Sequence, residues 1–546
     1  MYLKDIIRGD NSMKYHNPII SGFHPDPSVC RVGNDFYLVN SSFEYFPAIP
    51  LFHSTDLIHW EQIGHILDRP GQLKLVNGAP NCLGIYAPTI RYHEGIFYCI
   101  VTNVGGRKGG NFFVYTDDPY GKWSDPVRLP FEGIDPSLFF DEDGKIYYSG
   151  TDTGIYIAEL SFDIIQNEKP GKNQLAITIT NVKCGEKKYV WNGSGGNNPE
   201  GPHLYKINGM YYLMIAEGGT EYCHMVTIAR SHYIYGPFDD CPHNPVLSNR
   251  STGLPIKATG HADLVEDIQG NWWAVCLGIR PLGYPFRHNL GRETMLVPVK
   301  WESGWPVMGE NGTVPDTIEI DALPGKRTRK SQYYVPGSNV TDTFTSKTLH
   351  PSWNTIYNPV SKLVVPTEQG LFLRSFGTAL SDDKAKAIVV RRQEHFHFTA
   401  TATLTLESVN AGSEAGITIY MNNRHHYEAA LATVNGQYFI ILRRMIGSLQ
   451  SVEAQIPYHC NTVKLILTGD RENYTFSYLD IRPDENPMPA TAAFPSAVNA
   501  PVVIGSGEAQ YLTTEVGGCF TGNYIGLYAS KGDGLFTEFT YRSGKN

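Results

Sequence analysis

The stretch LYKINGMYYL, residues 204–213, has the pattern of a β-hairpin: an apolar strand, a turn at Asn208-Gly209, and a second strand that opens with aromatic residues. Four other stretches repeat this pattern: CRVGNDFYLV (30–39), RYHEGIFYCI (91–100), FFDEDGKIYY (139–148) and VEDIQGNWWA (265–274). Successive aromatic pairs lie 50 to 64 residues apart. A hairpin unit repeated at this interval predicts the blades of a five-bladed β-propeller.

The chain has 546 residues, which is too long for one ordinary core and predicts at least two domains. From about residue 340 the sequence changes to alternating apolar and polar strands, such as residues 387–408, 415–434, 437–446 and 462–479. Short strands of this kind, separated by turn residues, predict a β-sandwich. We therefore predict an all-β fold with a propeller at 15–322, a linker at 323–339 and a jelly-roll-like sandwich at 340–546.

Composition narrows the classes of function. A net charge of −9 without a long basic stripe argues against binding to nucleic acid. Neither an apolar window of about 18 residues nor the apolar core of a signal peptide is present, so we expect no membrane span and no secretion signal. The nine cysteines are odd in number and form no CxxC pair, which predicts free thiols in a reducing compartment. We expect a cytoplasmic protein.

Five residues precede the aromatic pairs by 11 to 13 positions, one in each predicted blade. In a propeller the first strand of every blade runs along the central channel, so residues just before these strands meet around one axis. The sequence therefore predicts one pocket that combines the five residues Asp26, Tyr86, Asp135, Glu200 and His261.

Three carboxylates in one channel match the needs of glycoside hydrolysis, where one acid protonates the leaving oxygen and a carboxylate activates water or attacks the sugar. Asp26, Asp135 and Glu200 can fill these roles, although an Asp before Pro is also ordinary turn chemistry. His261 is either a buried structural histidine or a residue that orders water, tunes the acids or helps to hold a cation. Nothing else in the sequence has metal-ligand spacing, so we predict no catalytic transition metal.

Three further side chains are candidates for holding a sugar ring. Phe43 and Tyr86 can stack on its face, and Arg292 can donate paired hydrogen bonds to its hydroxyls. The alternative is structural: the aromatic rings pack between blades, and Arg292 pairs with Glu293.

Nine motifs together resemble glycoside hydrolase family 43, in its branch of two-domain β-xylosidases and α-L-arabinofuranosidases. These motifs are NPIISGFHPDPSV (17–29), NSSFEYFP (40–47), FHSTDLIHWEQIGHIL (52–67), GIYAPTI (84–90), GIDPSLFFD (133–141), EGPHLYKINGMYYLMIAEGGT (200–220), GHADLVE (260–266) and GRET (291–294) with GWPV (304–307). The resemblance implies an inverting hydrolase that requires no cofactor. It assigns Asp26 as general base, Glu200 as general acid and Asp135 as the residue that tunes and orients the acid.

The same resemblance implies the rest of the pocket. Phe43, Tyr86 and Arg292 would surround the terminal pentose, and His261 would lie beneath it near a water molecule or a calcium ion. Phe520, in the segment GGCFTG, matches a sandwich loop that reaches the propeller in this branch. A pocket closed in this way implies an exo-acting enzyme on short xylo- or arabino-oligosaccharides.

Tyr86 is a departure, because β-xylosidases of this branch usually carry Trp before Ala-Pro. We favour a β-xylosidase, with an α-L-arabinofuranosidase or a bifunctional enzyme as the alternative. A more distant alternative is a non-catalytic carbohydrate-binding propeller, although all three acids are present. A retaining fructan hydrolase would open with a Trp-x-Asn-Asp-Pro-Asn-Gly type segment, where this chain has FHPDPS. Sequence leaves open whether the protein forms a homo-oligomer.

Overall fold

The computed structural model describes residues 13–75, 81–105, 109–167, 175–320, 324–325, 333–358, 362–375, 377–408, 410–481 and 500–544. Within these ranges the fold is almost entirely antiparallel β-sheet, as predicted. No helix in the same ranges has the length and apolar character needed to cross a membrane. Much of the predicted linker 323–339 lies outside the described residues.

Five antiparallel sheets within the described ranges form the propeller. Blade 1 contains Ser28–Val32, Asp35–Val39, Ala48–Ser54 and Glu61–Leu67. Blade 2 contains Gly84–His93, Ile96–Val104, Gly110–Thr116 and Val127–Arg128. Blade 3 contains Ile134–Phe140, Ile146–Thr151, Ile155–Gln166 and Ile177–Cys184, with Lys188–Tyr189 also paired to its third strand. Blade 4 contains Glu200–Ile207, Met210–Glu217, Met225–Ser231 and Asp239–Asp240. Blade 5 contains Lys257–Glu266, Trp272–Ile279, Glu293–Glu302 and Trp305–Met308.

All five hairpins predicted from the aromatic pairs form the first two strands of a blade. In blade 4 the turn residues Asn208 and Gly209 have φ of 52° and 78°, the left-handed conformation that a two-residue hairpin turn requires. The ring closes where Met13–His16 pairs with Thr317–Ile320. The Asn17 side chain strengthens this closure by donating a 3.0 Å hydrogen bond from Nδ2 to the Leu296 carbonyl.

The second half of the chain forms a sandwich of two antiparallel sheets. One sheet has the strand order Val364–Thr367, Gly370–Arg374, Asp533–Ser543, Phe398–Leu406, Thr462–Gly469, Asn473–Asp480 and Val502–Glu508, with Val340–Asp342 also paired to Asp533–Ser543. The other has the order Ala387–Arg392, Tyr524–Ser530, Glu414–Asn422, His425–Val434, Gln437–Ile446 and Leu449–Tyr458. Along Phe398–Leu406 every second residue is buried, which is the pattern of a strand with one face on the core.

The sandwich docks on blades 1 and 2 through an apolar core that both domains share. Tyr45 of the propeller stacks on Tyr524 of the sandwich with ring centroids 3.9 Å apart, and both rings are fully buried. Next to them Tyr45–Phe46 pairs with Thr355–Ile356 as a small sheet between the domains. A short connection after the sandwich strand Val502–Glu508 contains the 3₁₀ turn Ala509–Tyr511 and the helical turn Thr514–Gly517. This connection leads to the loop that carries Phe520.

The prediction that the cysteines are free thiols is wrong for Cys82 and Cys519, which form a disulfide across 437 residues of sequence. The two Cα atoms lie 5.7 Å apart, within the range for bridged cysteines. Sequence spacing could not reveal this pair, because one cysteine belongs to the propeller and the other to the sandwich. The other seven cysteines are free, as predicted.

Candidate active site

Each blade begins with an irregular step in its first strand, where it passes the central channel. In blades 1, 3 and 5 the residues at this step are Asp26, Asp135 and His261, with φ of 52°, 54° and 47°. This left-handed conformation is uncommon for residues other than glycine, and Asp and His tolerate it better than most. In blades 3 and 5 the strand pairing shifts register at the same place, which marks a bulge. Bulges re-aim side chains, and here they aim three polar groups into the channel.

In blades 2 and 4 the functional side chain comes from the residue just before the left-handed one. There the left-handed residues are Ala87 and Gly201, with φ of 35° and 62°, and the functional side chains come from the preceding Tyr86 and Glu200. Tyr86 and Glu200 therefore stand one residue before the bulged position that Asp26, Asp135 and His261 occupy in their blades. The spacing to the aromatic pairs varies by two residues, so it could not separate the bulged position from its neighbour.

The groups around Asp26 stabilise the ionised form of its carboxyl group. Its Oδ1 lies 3.0 Å from Arg292 Nη1 and 3.9 Å from His261 Nδ1, and its Oδ2 accepts a 2.5 Å hydrogen bond from the Ser41 hydroxyl. Burial by itself raises the pKa of Asp26. Arg292, His261 and the Ser41 hydrogen bond outweigh burial and lower this pKa below its ordinary value. Asp26 is therefore ionised at neutral pH.

The surroundings of Glu200 and Asp135 raise the pKa of each carboxyl, in contrast to those of Asp26. Burial raises the pKa of Glu200 to about 7, the negative charge of Asp26 adds to this, and Arg292 offsets part of it. Burial also raises the pKa of Asp135 to about 7; the nearby charges of Glu200 and Asp26 raise it further, while His261 lowers it. Asp135 Oδ2 accepts a 3.0 Å hydrogen bond from the backbone N–H of Gly201, which ties it to the strand that carries Glu200. Near pH 7, Glu200 can carry the proton that a general acid needs.

Asp135, Glu200 and His261 each offer a ligand atom, and the three atoms lie within 4.8 Å of one another. This geometry brings two carboxylates and one imidazole together. Calcium prefers six to eight oxygen ligands, and this trio supplies two carboxylates with one nitrogen. The residues therefore fit calcium poorly, and a metal-bound Glu200 would lose its proton. We assign no step of the reaction to a metal.

Aromatic rings surround one side of the acids. Phe43 lies 4.6 Å from Tyr86 and 6.2 Å from Phe520, measured between ring centroids. The Arg292 guanidinium lies over both Phe43 and Phe520, at 5.6 and 5.8 Å from their centroids. Phe43 and Arg292 are buried, whereas Phe520 is 44% exposed and lies at the mouth of the site. The structure thus brings together all eight site residues predicted from the sequence.

Contacts with the propeller fix the loop of Phe520. The Phe520 carbonyl accepts a 3.4 Å hydrogen bond from Arg292, and the Cys82–Cys519 disulfide links the preceding residue to the propeller. The backbones at Gly291 and Gly522 pass so closely that a Cβ on either glycine would collide with the other segment. Glycine is needed at both positions for this close approach.

Three residues at the site were missed by the sequence analysis. Ser41 bonds Asp26, and Thr220 accepts a 3.1 Å hydrogen bond from Arg292. His224 is fully buried, and its Nε2 lies 4.0 Å from Glu200 Oε1. Burial lowers the pKa of His224 to about 3, so this imidazole is neutral. Ser41 and Thr220 stand inside motifs recognised in the sequence, whereas no pattern pointed to His224.

Comparisons with known proteins agree with this geometry. The sequence model of glycosyl hydrolases family 43 matches residues 15–306, and that of the beta xylosidase C-terminal concanavalin A-like domain matches residues 341–542. A non-reducing end alpha-L-arabinofuranosidase of Bacteroides ovatus, BoGH43B, is 39% identical over 94% of this chain and 91% of its own. A beta-xylosidase of Bacillus subtilis is 31% identical over 97% of this chain and 99% of its own.

A solved structure extends the similarity to the whole fold. The Bacteroides ovatus protein described as xyloglucan PUL GH43B superposes with a TM-score of 0.83 at 36% identity, covering 97% of this chain and 100% of that one. The match includes both the propeller and the sandwich, and it accompanies the sequence matches to each domain. The chain belongs to glycosyl hydrolases family 43.

Proposed function

We propose that the protein is an inverting, exo-acting glycosidase that releases a terminal pentose from xylo- or arabino-oligosaccharides, and in the first place a β-D-xylosidase. The observation that carries the proposal is the difference between two carboxyls in one pocket. Asp26 is stabilised as an anion by Arg292, while burial keeps a proton on Glu200 up to about pH 7. A base and an acid in these states are the pair that glycoside hydrolysis needs.

In the proposed reaction the Asp26 carboxylate accepts a proton from a water molecule as that water attacks the anomeric carbon. Glu200 donates its proton to the glycosidic oxygen, and the bond between that oxygen and the anomeric carbon breaks. The water enters on the face opposite the leaving group, so the configuration inverts. Inversion requires the two carboxyls to stand about 6.5 to 9.5 Å apart, with the water between the base and the sugar.

Asp135 and Arg292 have positioning roles in this proposal. Asp135 holds the Gly201 N–H beside Glu200, which fixes the direction of the acid. Arg292 bonds Asp26 and Thr220 and also lies over the aromatic rings, so it connects the base to the sugar-binding wall. Its position suits donation to sugar hydroxyls next to the reacting carbon.

Exo action is supported by the aromatic wall and the sandwich loop, which close one side of the pocket. The buried Phe43 and the partly buried Tyr86 form an aromatic wall, and the sandwich loop with Phe520 lies against it. A polysaccharide that continued in both directions would have to pass this loop. We therefore infer that the sugar bound against Phe43 is the last one of its chain.

An α-L-arabinofuranosidase is the second candidate. Tyr86 stands where β-xylosidases of the family usually carry Trp, and its hydroxyl donates to the Cys82 carbonyl, which turns it toward the propeller loop. The Bacteroides ovatus relative, which covers nearly the whole chain, carries the name arabinofuranosidase. A smaller ring leaves more space beside Phe43 for a furanose.

Initial rates on 4-nitrophenyl β-D-xylopyranoside and 4-nitrophenyl α-L-arabinofuranoside decide between the candidates. We expect the wild type to prefer the xyloside and Glu200→Gln to lose activity by about 10²- to 10⁴-fold, the usual contribution of a general acid. Glu302→Gln, at an exposed glutamate of blade 5, is the matched control and should retain the wild-type rate. Proton NMR of the first-formed sugar should show α-xylose from the β-xyloside.

A preference for the arabinofuranoside would favour the second candidate. Retention of the β configuration, or full activity of Glu200→Gln, would contradict the inverting mechanism and its acid. Binding without any turnover would leave a carbohydrate-binding propeller.

A further inference from the structure

The Cys82–Cys519 disulfide lies between two aromatic rings of the candidate active site. Cys519 directly precedes Phe520, and the Phe520 backbone N–H donates a 3.0 Å hydrogen bond to Cys82 Sγ. On the other side of the disulfide, the Cys82 carbonyl accepts the hydrogen bond of the Tyr86 hydroxyl. The disulfide therefore connects the ring at the mouth of the pocket to a ring of the aromatic wall.

The loop that carries Phe520 is anchored at both ends by short hydrogen bonds. At its start, Glu515 accepts bonds of 2.9 and 2.8 Å from the backbone N–H and the Nδ1 of His288. At its end, the Asn523 backbone N–H donates a 2.8 Å bond to the Asn289 carbonyl. Both partners belong to the propeller, so the ends of the loop are fixed independently of the disulfide.

The middle of the loop, residues 517–520, has weaker noncovalent contacts. The Arg292 guanidinium donates a 3.4 Å hydrogen bond to the Phe520 carbonyl, and the Asn422 side chain donates a 3.5 Å bond to the Gly517 carbonyl. Both distances are longer than those of strong hydrogen bonds. Gly517 and Gly518 also leave the backbone before Cys519 with the freedom of two glycines. The disulfide is therefore the strongest attachment of this part of the loop to the propeller.

The two sulfur atoms of the disulfide differ in their access to solvent. Cys82 is buried, whereas Cys519 is partly exposed, next to the exposed Phe520. A dissolved thiolate can therefore attack Cys519 Sγ, with Cys82 as the leaving group. The Phe520 N–H already points at Cys82 Sγ, where it stabilises the negative charge that forms on this sulfur.

We propose that Cys82–Cys519 is a thiol–disulfide exchange site, and that a dithiol reductant weakens substrate binding by releasing the Phe520 ring from the pocket. The inference rests on the proposed function. One thiolate of the dithiol forms a bond to Cys519 Sγ, while the S–S bond breaks and Cys82 Sγ takes its electron pair and then a proton. The second thiol of the reductant displaces Cys519, so that the reductant becomes a disulfide and both cysteines become thiols.

Reduction changes the pocket on one side only. The ends of the loop keep their hydrogen bonds, but the covalent link that holds Phe520 beside Phe43 is lost. Asp26 and Glu200 belong to propeller strands that the disulfide does not connect, so the acid and the base stay in place. The expected consequence is a higher KM with little change in kcat.

The test compares the oxidised and the reduced full-length enzyme on the 4-nitrophenyl pentoside that the wild type prefers. Glutathione disulfide serves as the oxidant and dithiothreitol as the dithiol. A thiol count after denaturation defines each state: seven thiols in the oxidised chain and nine in the reduced chain. On reduction we expect KM to rise about 5-fold, which is within the range for the loss of one aromatic contact.

Three variants show whether the effect passes through this pair and this ring. Cys519→Ser should have the raised KM without any reductant and should not respond to dithiothreitol. Phe520→Ala should not respond either, because the ring that the disulfide positions is already absent and the two changes are not additive. Cys223→Ser is the matched control. It removes an exposed free thiol of blade 4 and should keep the full response to reduction.

The outcomes separate this inference from the proposed function. A chain that still has nine thiols after oxidation, or a KM that is the same with seven thiols as with nine, would show that the inference is wrong. A response to dithiothreitol in Cys519→Ser would assign the effect to another cysteine, and a full response in Phe520→Ala would exclude the ring; either result overturns the inference. Absence of turnover by the wild type in both states would instead overturn the proposed function, on which the thiol count does not depend.

Discussion

The propeller channel and the sandwich loop meet at the same pocket but contribute in opposite ways. The propeller supplies the charged groups: the three acids come from the irregular step of different blades or from the residue before it, and Arg292 stands just before the third strand of blade 5. The sandwich supplies one loop, which adds the Phe520 ring and a backbone carbonyl and no charge. The propeller thus provides the catalytic side chains, while the sandwich loop narrows the opening of the pocket. The two contributions should respond differently to mutation.

The largest effect is expected from the propeller side, at Asp26. Asp26→Ala removes the proposed base, and kcat/KM on the preferred 4-nitrophenyl glycoside should fall by about 10³- to 10⁴-fold. Binding of the released pentose, measured by calorimetry, should persist because the aromatic wall is unchanged. Asp35→Ala, which removes a partly exposed carboxylate in blade 1, is the control. A variant without Asp26 that still turned over near the wild-type rate would exclude this residue as the base.

The pH dependence of kcat/KM tests the same propeller residues without a mutation. Activity needs Asp26 ionised and Glu200 protonated. Because the pKa of Glu200 is raised to about 7, kcat/KM should fall as pH rises through about 7. The acidic limb should lie below the ordinary range of an aspartate, because the pKa of Asp26 is lowered. Asp135 also titrates near 7, so the alkaline limb belongs to the pair. A profile that stays flat up to pH 9 would contradict these assignments.

The smallest effect is expected from the sandwich side. Phe520→Ala keeps the carbonyl that bonds Arg292 but removes the ring at the mouth, and kcat/KM should fall by about 10-fold, chiefly through KM. This is the size of loss expected for one truncated aromatic contact. Leu449→Ala, at an exposed edge of the sandwich, should have no effect. If the Phe520 variant lost as much activity as the Asp26 variant, the sandwich loop would do more than shape the pocket, and the separation of roles between the two domains would be wrong.

Local patterns explain why so much of the fold could be predicted. A hairpin shows itself within ten residues, so all five blades were visible from their turns and aromatic pairs. The three acids followed, because a propeller forces equivalent positions toward one axis. The alternation along Phe398–Leu406 likewise predicted a sandwich strand.

What could not be predicted depends on contacts distant in sequence or on single-residue shifts. The one-residue offset of Tyr86 and Glu200 arises from bulges, which sequence spacing does not resolve. The Cys82–Cys519 disulfide and the contact between Gly291 and Gly522 join two domains whose docking leaves no local signal. His224 comes from a position outside the repeated step, so the repeat gave no reason to select it.

The repeated bulge also bears on how such a pocket can change over evolution. Every blade holds one residue in a left-handed conformation beside the channel, and the occupants are Asp26, Ala87, Asp135, Gly201 and His261. The backbone geometry is the same whether the occupant is an acid, an imidazole, a methyl group or a hydrogen atom. The side chain at this position can therefore change in one blade at a time, while the backbone of the propeller stays the same. In this way the set of catalytic residues can change without a change of fold.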